Sequence, residues 1–381
     1  MSVTREQVVE ALRPVEDPEL HRSIVDLGML RDVQIEGGTV SILIALTVAG
    51  CPLRNEITNR VKGAVAPLAG VSNVNLDFTV MTDQEREELR MKLHGDPGST
   101  AGQGQAHGHA EGRSIPFANP DNKTRPLLIS SGKGGVGKSS VTTNLAVALA
   151  AQGHTVGVLD ADIYGYSIPR MLGANNDPVA IDRMLLPSEA YGVRCISIGY
   201  FVPEGQAVVW RGPMLHKALE QFLTDVFWDE PDFLLIDMPP GTGDIALSLS
   251  QYLPKGEVYV VTTPQQAAQK VARLSAAMAT KVGLPVKGVI ENMSWFSGDD
   301  GKKYELFGSG GGQELANELN VPLLGQLPLV QQLREGGDDG HPIAAIAPES
   351  EAGKIFHEMA HKIAADNKPR KKFSKLLKVN G

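Results

Sequence analysis

Along the first part of the chain apolar residues alternate with polar ones, whereas from Pro126 onward they come in short unbroken runs, so two differently built regions are expected. In the first, Thr4 and Gln7 have the spacing of a capping box, which predicts a short helix that Pro14 closes. Val33 and Ile35 precede the Gly37-Gly38 pair, and Val40, Ile42, Ile44 and Leu46 follow it with period two, the pattern of a half-buried hairpin. A helix from Leu53, a strand at VNLDFTV and a charged helix at TDQEREELRMKL complete a small α+β unit, residues 1–93.

The second region places LLIS, TVGVLD, FLLID, VYVVTT, GVIEN and LLGQLP between stretches of helical period. Strands that are apolar on both faces need cover on both faces, so the expectation is an α/β domain, residues 124–367, with a mostly parallel sheet flanked by helices. Residues 94–123 are rich in Gly, Ser, Gln and Pro without apolar period and read as a flexible linker. His107 and His109 lie in it without a third ligand nearby and suggest no metal site. Residues 368–381 form a basic tail, read as a solvated terminus; the competing reading, a short helix against an anionic membrane or nucleic acid, rests on Phe373, Leu376 and Leu377 alone.

Composition narrows the class. The 381 residues are 42% hydrophobic and 21% charged, as in ordinary globular proteins, and the net charge of -8 argues against a chain that coats nucleic acid. The two cysteines, Cys51 and Cys195, are far apart and suggest neither a disulfide framework nor a zinc site. The charged N-terminus predicts no signal peptide, no later segment predicts a membrane span, and a cytoplasmic location is expected.

The chemistry concentrates in SGKGGVGKSS, residues 131–140, which follows a predicted strand and opens a predicted helix, the context a phosphate-binding loop requires. Glycines at such a loop let backbone amides surround phosphates, Lys138 neutralises the β and γ groups, and Ser139 offers a hydroxyl to Mg2+. Asp160 and Asp162 close one strand and Asp237 another, supplying the carboxylates a magnesium–nucleotide site needs; PPGTGD, after Asp237, is a candidate γ-phosphate sensor. Lys133 is surplus to the loop. From the residues alone it is either a solvated lysine or a cation that serves a partner's nucleotide, as an arginine finger supplied in trans does.

The stretch KGGVGKS resembles the deviant Walker A loop of the MinD, ParA and nitrogenase iron protein superfamily, whose signature lysine acts across an ATP-dependent dimer. Over nearly the whole chain the resemblance is to the Mrp (ApbC-like) iron–sulfur cluster carriers, through SGKGGVGKSS, DADIYGYSIP, WRGPM, LLIDMPPGTGD, VTTPQ, ENMS and FGSGGG. DPEL, IVDLGM and AGCPLRNEI resemble the small domain associated with iron–sulfur assembly. The resemblance implies that Gly132, Lys133, Gly134, Gly135, Val136, Gly137, Lys138, Ser139 and Ser140 bind ATP, with Lys133 and Lys138 acting on its phosphates. It implies further that Asp162 orients the attacking water, that Ser139 ligates Mg2+ with Asp237 acting through water and Asp162 nearby, and that Asn292 contacts adenine.

One departure stands out. Many such carriers have Cys-x-x-Cys between NMS and FG, where two subunits share a cluster, and this chain reads NMSWFSGDDGKKYELFG. Cys51, before Pro52 at a predicted helix start, is then the candidate cluster ligand, because a helix N-terminus stabilises a thiolate; the alternative is a small buried apolar residue. Cys195 reads as core. The expected function is an ATP-hydrolysing iron–sulfur cluster carrier that acts as a homodimer and delivers clusters to apoproteins. A MinD-like positioning ATPase on membrane or DNA, and an ATP-controlled scaffold without a cluster, are the alternatives.

Overall fold

The computed structural model describes residues 3–18, 20–47, 53–94, 115–163, 165–181, 183–202, 212–241, 245–298 and 300–366. Cys51, the linker up to residue 114, Trp210 and Arg211, Thr242 to Asp244 of PPGTGD, and the basic tail lie outside the described residues.

In chain order the elements are α1 (Arg5–Leu12), β1 (Leu30–Glu36), β2 (Thr39–Leu46), α2 (Arg54–Val65), β3 (Asn73–Val80), α3 (Asp83–His94), β4 (Arg125–Ser131), α4 (Lys138–Ala151), β5 (Val156–Asp160), α5 (Ile168–Leu172), β6 (Val179–Ile181), β7 (Met184–Leu186), β8 (Ser188–Ala190), β9 (Val193–Ser197), α6 (Gly212–Thr224), β10 (Phe233–Asp237), α7 (Ile245–Tyr252), β11 (Glu257–Thr262), α8 (Gln266–Lys281), β12 (Val286–Glu291), β13 (Phe296–Ser297), β14 (Lys303–Tyr304), α9 (Gly311–Leu319), β15 (Leu323–Gln326), α10 (Gln331–Asp339), α11 (Ile343–Ile346) and α12 (Glu351–Ala365). They fall into two compact units, one of residues 1–111, 178–186 and 225–227, the other of the remainder.

The smaller unit has the sheet order β1-β2-β3, with β1 antiparallel and β3 parallel to β2. Alternation places Val40, Ile42 and Ile44 inside, where they join Leu12, Ile24, Ile57 and Val61. The capping box at Thr4 and Gln7 is formed from both sides. Ile181, Met184, Leu186 and Phe227, from the two later segments, complete this core.

The larger unit carries an eight-stranded sheet in the order β15-β12-β11-β4-β10-β5-β9-β8, parallel except for the short edge strand β8. Strands β4, β5 and β10 are buried almost throughout, which explains their unbroken apolar runs. Helix α4 is buried nearly all round and packs on α5, α11 and α12. The chain leaves β4 toward β5 on one side, across β10, and β11 returns to the other side of β4; ligands of open α/β sheets bind at such a reversal, beyond the carboxyl ends of the strands. Ile115 and Phe117, in the segment read as linker, are buried. None of the helices among the described residues is long and apolar enough to cross a membrane.

Candidate functional site

The loop between β4 and α4 has the form its glycines dictate. Gly137, at φ 80°, is the residue before α4, and a Cβ there would stand 2.2 Å from Asn292 Nδ2 as well as in the left-handed region. At Gly132 a Cβ would meet the backbone of Val271 in α8 at 2.3 Å. No side chain caps the N-terminus of α4, so its first amides face the loop and make it a ready anion site.

Three side chains converge on one carboxylate. Asp237 at the end of β10 has no exposed surface; its Oδ2 accepts hydrogen bonds from Lys138 Nζ and Ser139 Oγ, both at 2.6 Å, and its Oδ1 from Thr142 Oγ1 at 2.6 Å. Asp162 Oδ2 lies 3.5 Å from Lys138 Nζ. Lys138 is therefore ion-paired before any phosphate arrives. Thr142, one helical turn beyond Lys138, was not singled out in the sequence, although its place four residues on along the same face of α4 was the available signal.

The other lysine is held differently. Lys133 is half-buried, and its Nζ donates to Gln265 Oε1 at 3.4 Å, a neutral acceptor one residue before α8. No carboxylate among the described residues pairs with it. Gly134 and Gly135, next in the loop, have open space around the position of a Cβ.

The aspartates divide by environment. Asp160 and Asp237 occupy the same register on adjacent strands. Burial first, and then the charge of Asp237, push the Asp160 carboxyl up to about 7. Its oxygens are taken up by the backbone N–H groups of Asp162, Ser167 and Ile168 and by the Ser197 hydroxyl, so it shapes the turn that presents Asp162. Burial also raises the Asp162 carboxyl, with Lys138 pulling it down and Asp237 pushing it up.

At the end of β12, buried Asn292 reaches the loop and donates Nδ2 to the Val136 carbonyl at 2.9 Å. Its Oδ1 is buried without a hydrogen-bond partner, an acceptor waiting for an N–H donor. Beside it, fully buried Glu291 accepts from Ser294 Oγ at 2.8 Å, Gln326 Nε2 at 2.7 Å and the Gly312 amide in the first turn of α9. This residue, also missed in the sequence, ties ENMS to FGSGGG. Its signal was a carboxylate ending an apolar strand.

These groups suit a magnesium nucleotide: an uncapped helix start, a lysine and a serine on one carboxylate, and an unpaired buried acceptor. Among the described residues no three His, Cys, Asp or Glu side chains are grouped to hold a metal unaided, and Mg2+ is usually shared between one or two carboxylates and substrate phosphates. Cys195 is fully buried in β9 and, with burial pushing its thiol far up, is core, as expected. The segment after Ser294 is the hairpin β13–β14, pinned by Lys303, whose Nζ stands 3.7 Å over the Trp295 ring and 2.9 Å from Glu351 Oε1.

Residues 122–364 match the model of the ParA-type family described as NUBPL iron-transfer P-loop NTPase, and residues 5–76 match that of an iron–sulfur cluster assembly protein. An iron–sulfur cluster carrier protein of Mycobacterium leprae is 48% identical, over 93% of this chain and 91% of the relative. One from a Synechocystis strain is 42% identical, over 95% and 97%. Among solved structures, a nucleotide-binding protein from Archaeoglobus fulgidus in complex with ADP is 34% identical, with a TM-score of 0.50 over 57% of this chain and 88% of that one. With both regions matched and the phosphate loop in place, the chain belongs to the family of NUBPL iron-transfer P-loop NTPases, alongside the iron–sulfur cluster carrier proteins.

Proposed function

We propose that this protein is an ATP-hydrolysing carrier of iron–sulfur clusters that closes into a dimer on ATP and passes clusters to apoproteins. The convergence of Lys138, Ser139 and Thr142 on buried Asp237 carries the nucleotide half of this reading. When ATP binds, its phosphates take over the Lys138 ammonium, and the amides opening α4 receive the remaining charge. The oxygens of Asp237 and the Ser139 hydroxyl would then be released to hold Mg2+, with Asp162 alongside, and the ion would supply charge neutralisation to the phosphates. Asp162, its carboxyl raised by burial and held 3.5 Å from Lys138 Nζ, orients the attacking water. Asn292 Oδ1 accepts from the adenine amino group. Lys133 reaches the nucleotide of the opposing subunit and stabilises charge as the γ-phosphoryl leaves.

The cluster is cargo. The likeness to full-length carriers favours this reading over a positioning ATPase. Cys51 is the proposed thiolate ligand, completed by a second subunit or an outside ligand, because one sulfur cannot hold a cluster. Anaerobic reconstitution of the wild type and Cys51→Ala, followed by absorbance and iron counting, tests this half; a wild type that retains no iron refutes it and leaves the scaffold. Lys133→Ala tests the other: hydrolysis is expected to fall at least tenfold, and unchanged hydrolysis and self-association refute the dimer.

A further inference from the structure

Gln265 accepts the Lys133 ammonium within one chain, and we infer that it is a positioning residue that rests Lys133 in its own subunit until a partner's phosphates claim it. This rests on the trans role proposed above for Lys133.

Three observations carry it. Lys133 Nζ has one polar side-chain partner among the described residues, Gln265 Oε1 at 3.4 Å. That acceptor is an uncharged amide, in contrast to the buried carboxylate that grips Lys138 at 2.6 Å. A long hydrogen bond to a neutral group orients the ammonium without neutralising it, and a phosphate oxygen outcompetes it readily. Third, the acceptor is built into a firm frame. Gln265 is the residue before α8, its carbonyl accepts from the Ala268 and Gln269 amides, and the same helix lies against Gly132 so closely that a Cβ there would meet its backbone. The resting place of Lys133 and the loop that carries it are therefore fixed relative to each other. The Ser131 hydroxyl, donating to the Lys133 carbonyl at 3.1 Å, holds the backbone from the other side.

Because the ammonium cannot lie on Gln265 and on a partner's phosphate at once, the rest competes with dimer closure. Removing the acceptor helps closure, and charging it hinders closure. The experiment measures ATPase activity against protein concentration, with Mg-ADP affinity of the dilute protein as a control, for wild type, Gln265→Ala, Gln265→Glu and Lys133→Ala. The expected result is that Gln265→Ala lowers the protein concentration giving half-maximal specific activity by roughly 2- to 5-fold, and that Gln265→Glu raises it by about 10-fold, since charge-assisted pairs are roughly twice as strong as neutral ones. Mg-ADP affinity stays within a factor of two for both. The Gln265→Glu defect shrinks as pH falls toward the carboxyl's own range and the new side chain becomes neutral, a response that mere damage to α8 would not give.

If both Gln265 variants shift activity in the same direction, or neither shifts it while Lys133→Ala still abolishes it, the resting role is wrong and the dimer reading stands. If wild-type specific activity is independent of concentration and Lys133→Ala is fully active, both fall together.

Discussion

Asp237→Asn is the sharpest perturbation of the site, because it removes one charge from a pair with almost no access to water. Lys138 is 6% exposed and Asp237 fully buried. Stranding one member of a buried pair costs about 3–5 kcal/mol, and Asp162 at 3.5 Å together with the remaining amide oxygen puts the expectation at the low end, about 3 kcal/mol. For a domain of this size, each kcal/mol lowers Tm by about 2–4 °C, so the nucleotide-free variant is expected to melt about 6–12 °C below the wild type. The stranded ammonium then gains a partner when a polyphosphate binds. ADP without Mg2+ therefore raises the variant's Tm more than the wild type's, whereas the extra rise on adding Mg2+ is smaller in the variant, which has lost the carboxylate for the ion. Thermal unfolding followed by circular dichroism, in the three conditions, reads all of this. A nucleotide-free Tm within 2 °C of the wild type, or an ADP shift no larger than the wild type's, would refute the claim that Asp237 and phosphate compete for Lys138.

Two further predictions follow from groups around that pair. The Asp160 carboxyl, pushed up to about 7 by burial and by Asp237, keeps its proton in the folded protein where the unfolded chain has lost it, so its contribution to stability falls as pH rises from the ordinary carboxylate range through about 7. The nucleotide-free wild type is thus expected to lose more Tm between pH 5.5 and 8 than Asp160→Asn; equal slopes in thermal melts contradict the assignment. Asn292→Ala removes the unpaired buried acceptor and is expected to weaken ADP binding by roughly 5- to 100-fold while leaving binding of inorganic triphosphate unchanged, as calorimetry can measure. Equal losses for both ligands would mean that Asn292 supports the loop through Val136 and does not read the base.

The sequence made the phosphate loop legible because its glycines, lysine and serine are contiguous, and because an apolar strand and a helical period flank them. Strand ends were legible too, which is why Asp160, Asp162 and Asp237 stood out together. Their different duties were not: Asp160 is consumed by the Ser167 and Ile168 amides and by Ser197, partners that only the folded turn brings within reach. Gln265 and Glu291 were hidden for a similar reason. Gln265 is an ordinary polar residue before a helix and Glu291 an ordinary polar residue at a strand end, and what marks each is a contact more than 130 residues away in the first case and a helix start in the second. Nor could local pattern place β6 and β7, whose Ile181 and Met184 fill the core of the smaller unit although they lie far along the chain from its sheet.

The grip of Glu291 constrains how this corner of the molecule can drift. Its carboxylate is out of reach of solvent, and its three partners, Ser294, Gln326 and Gly312, come from separate stretches of chain. A Cβ on Gly312 would stand 2.7 Å from the Glu291 Cβ, so that position has no room to grow. Changing Glu291 or Ser294 alone strands a buried donor or acceptor, and any side chain on Gly312 collides with Glu291. Glu291, Ser294 and Gly312 are thus yoked, and a change at one calls for an accommodating change at another.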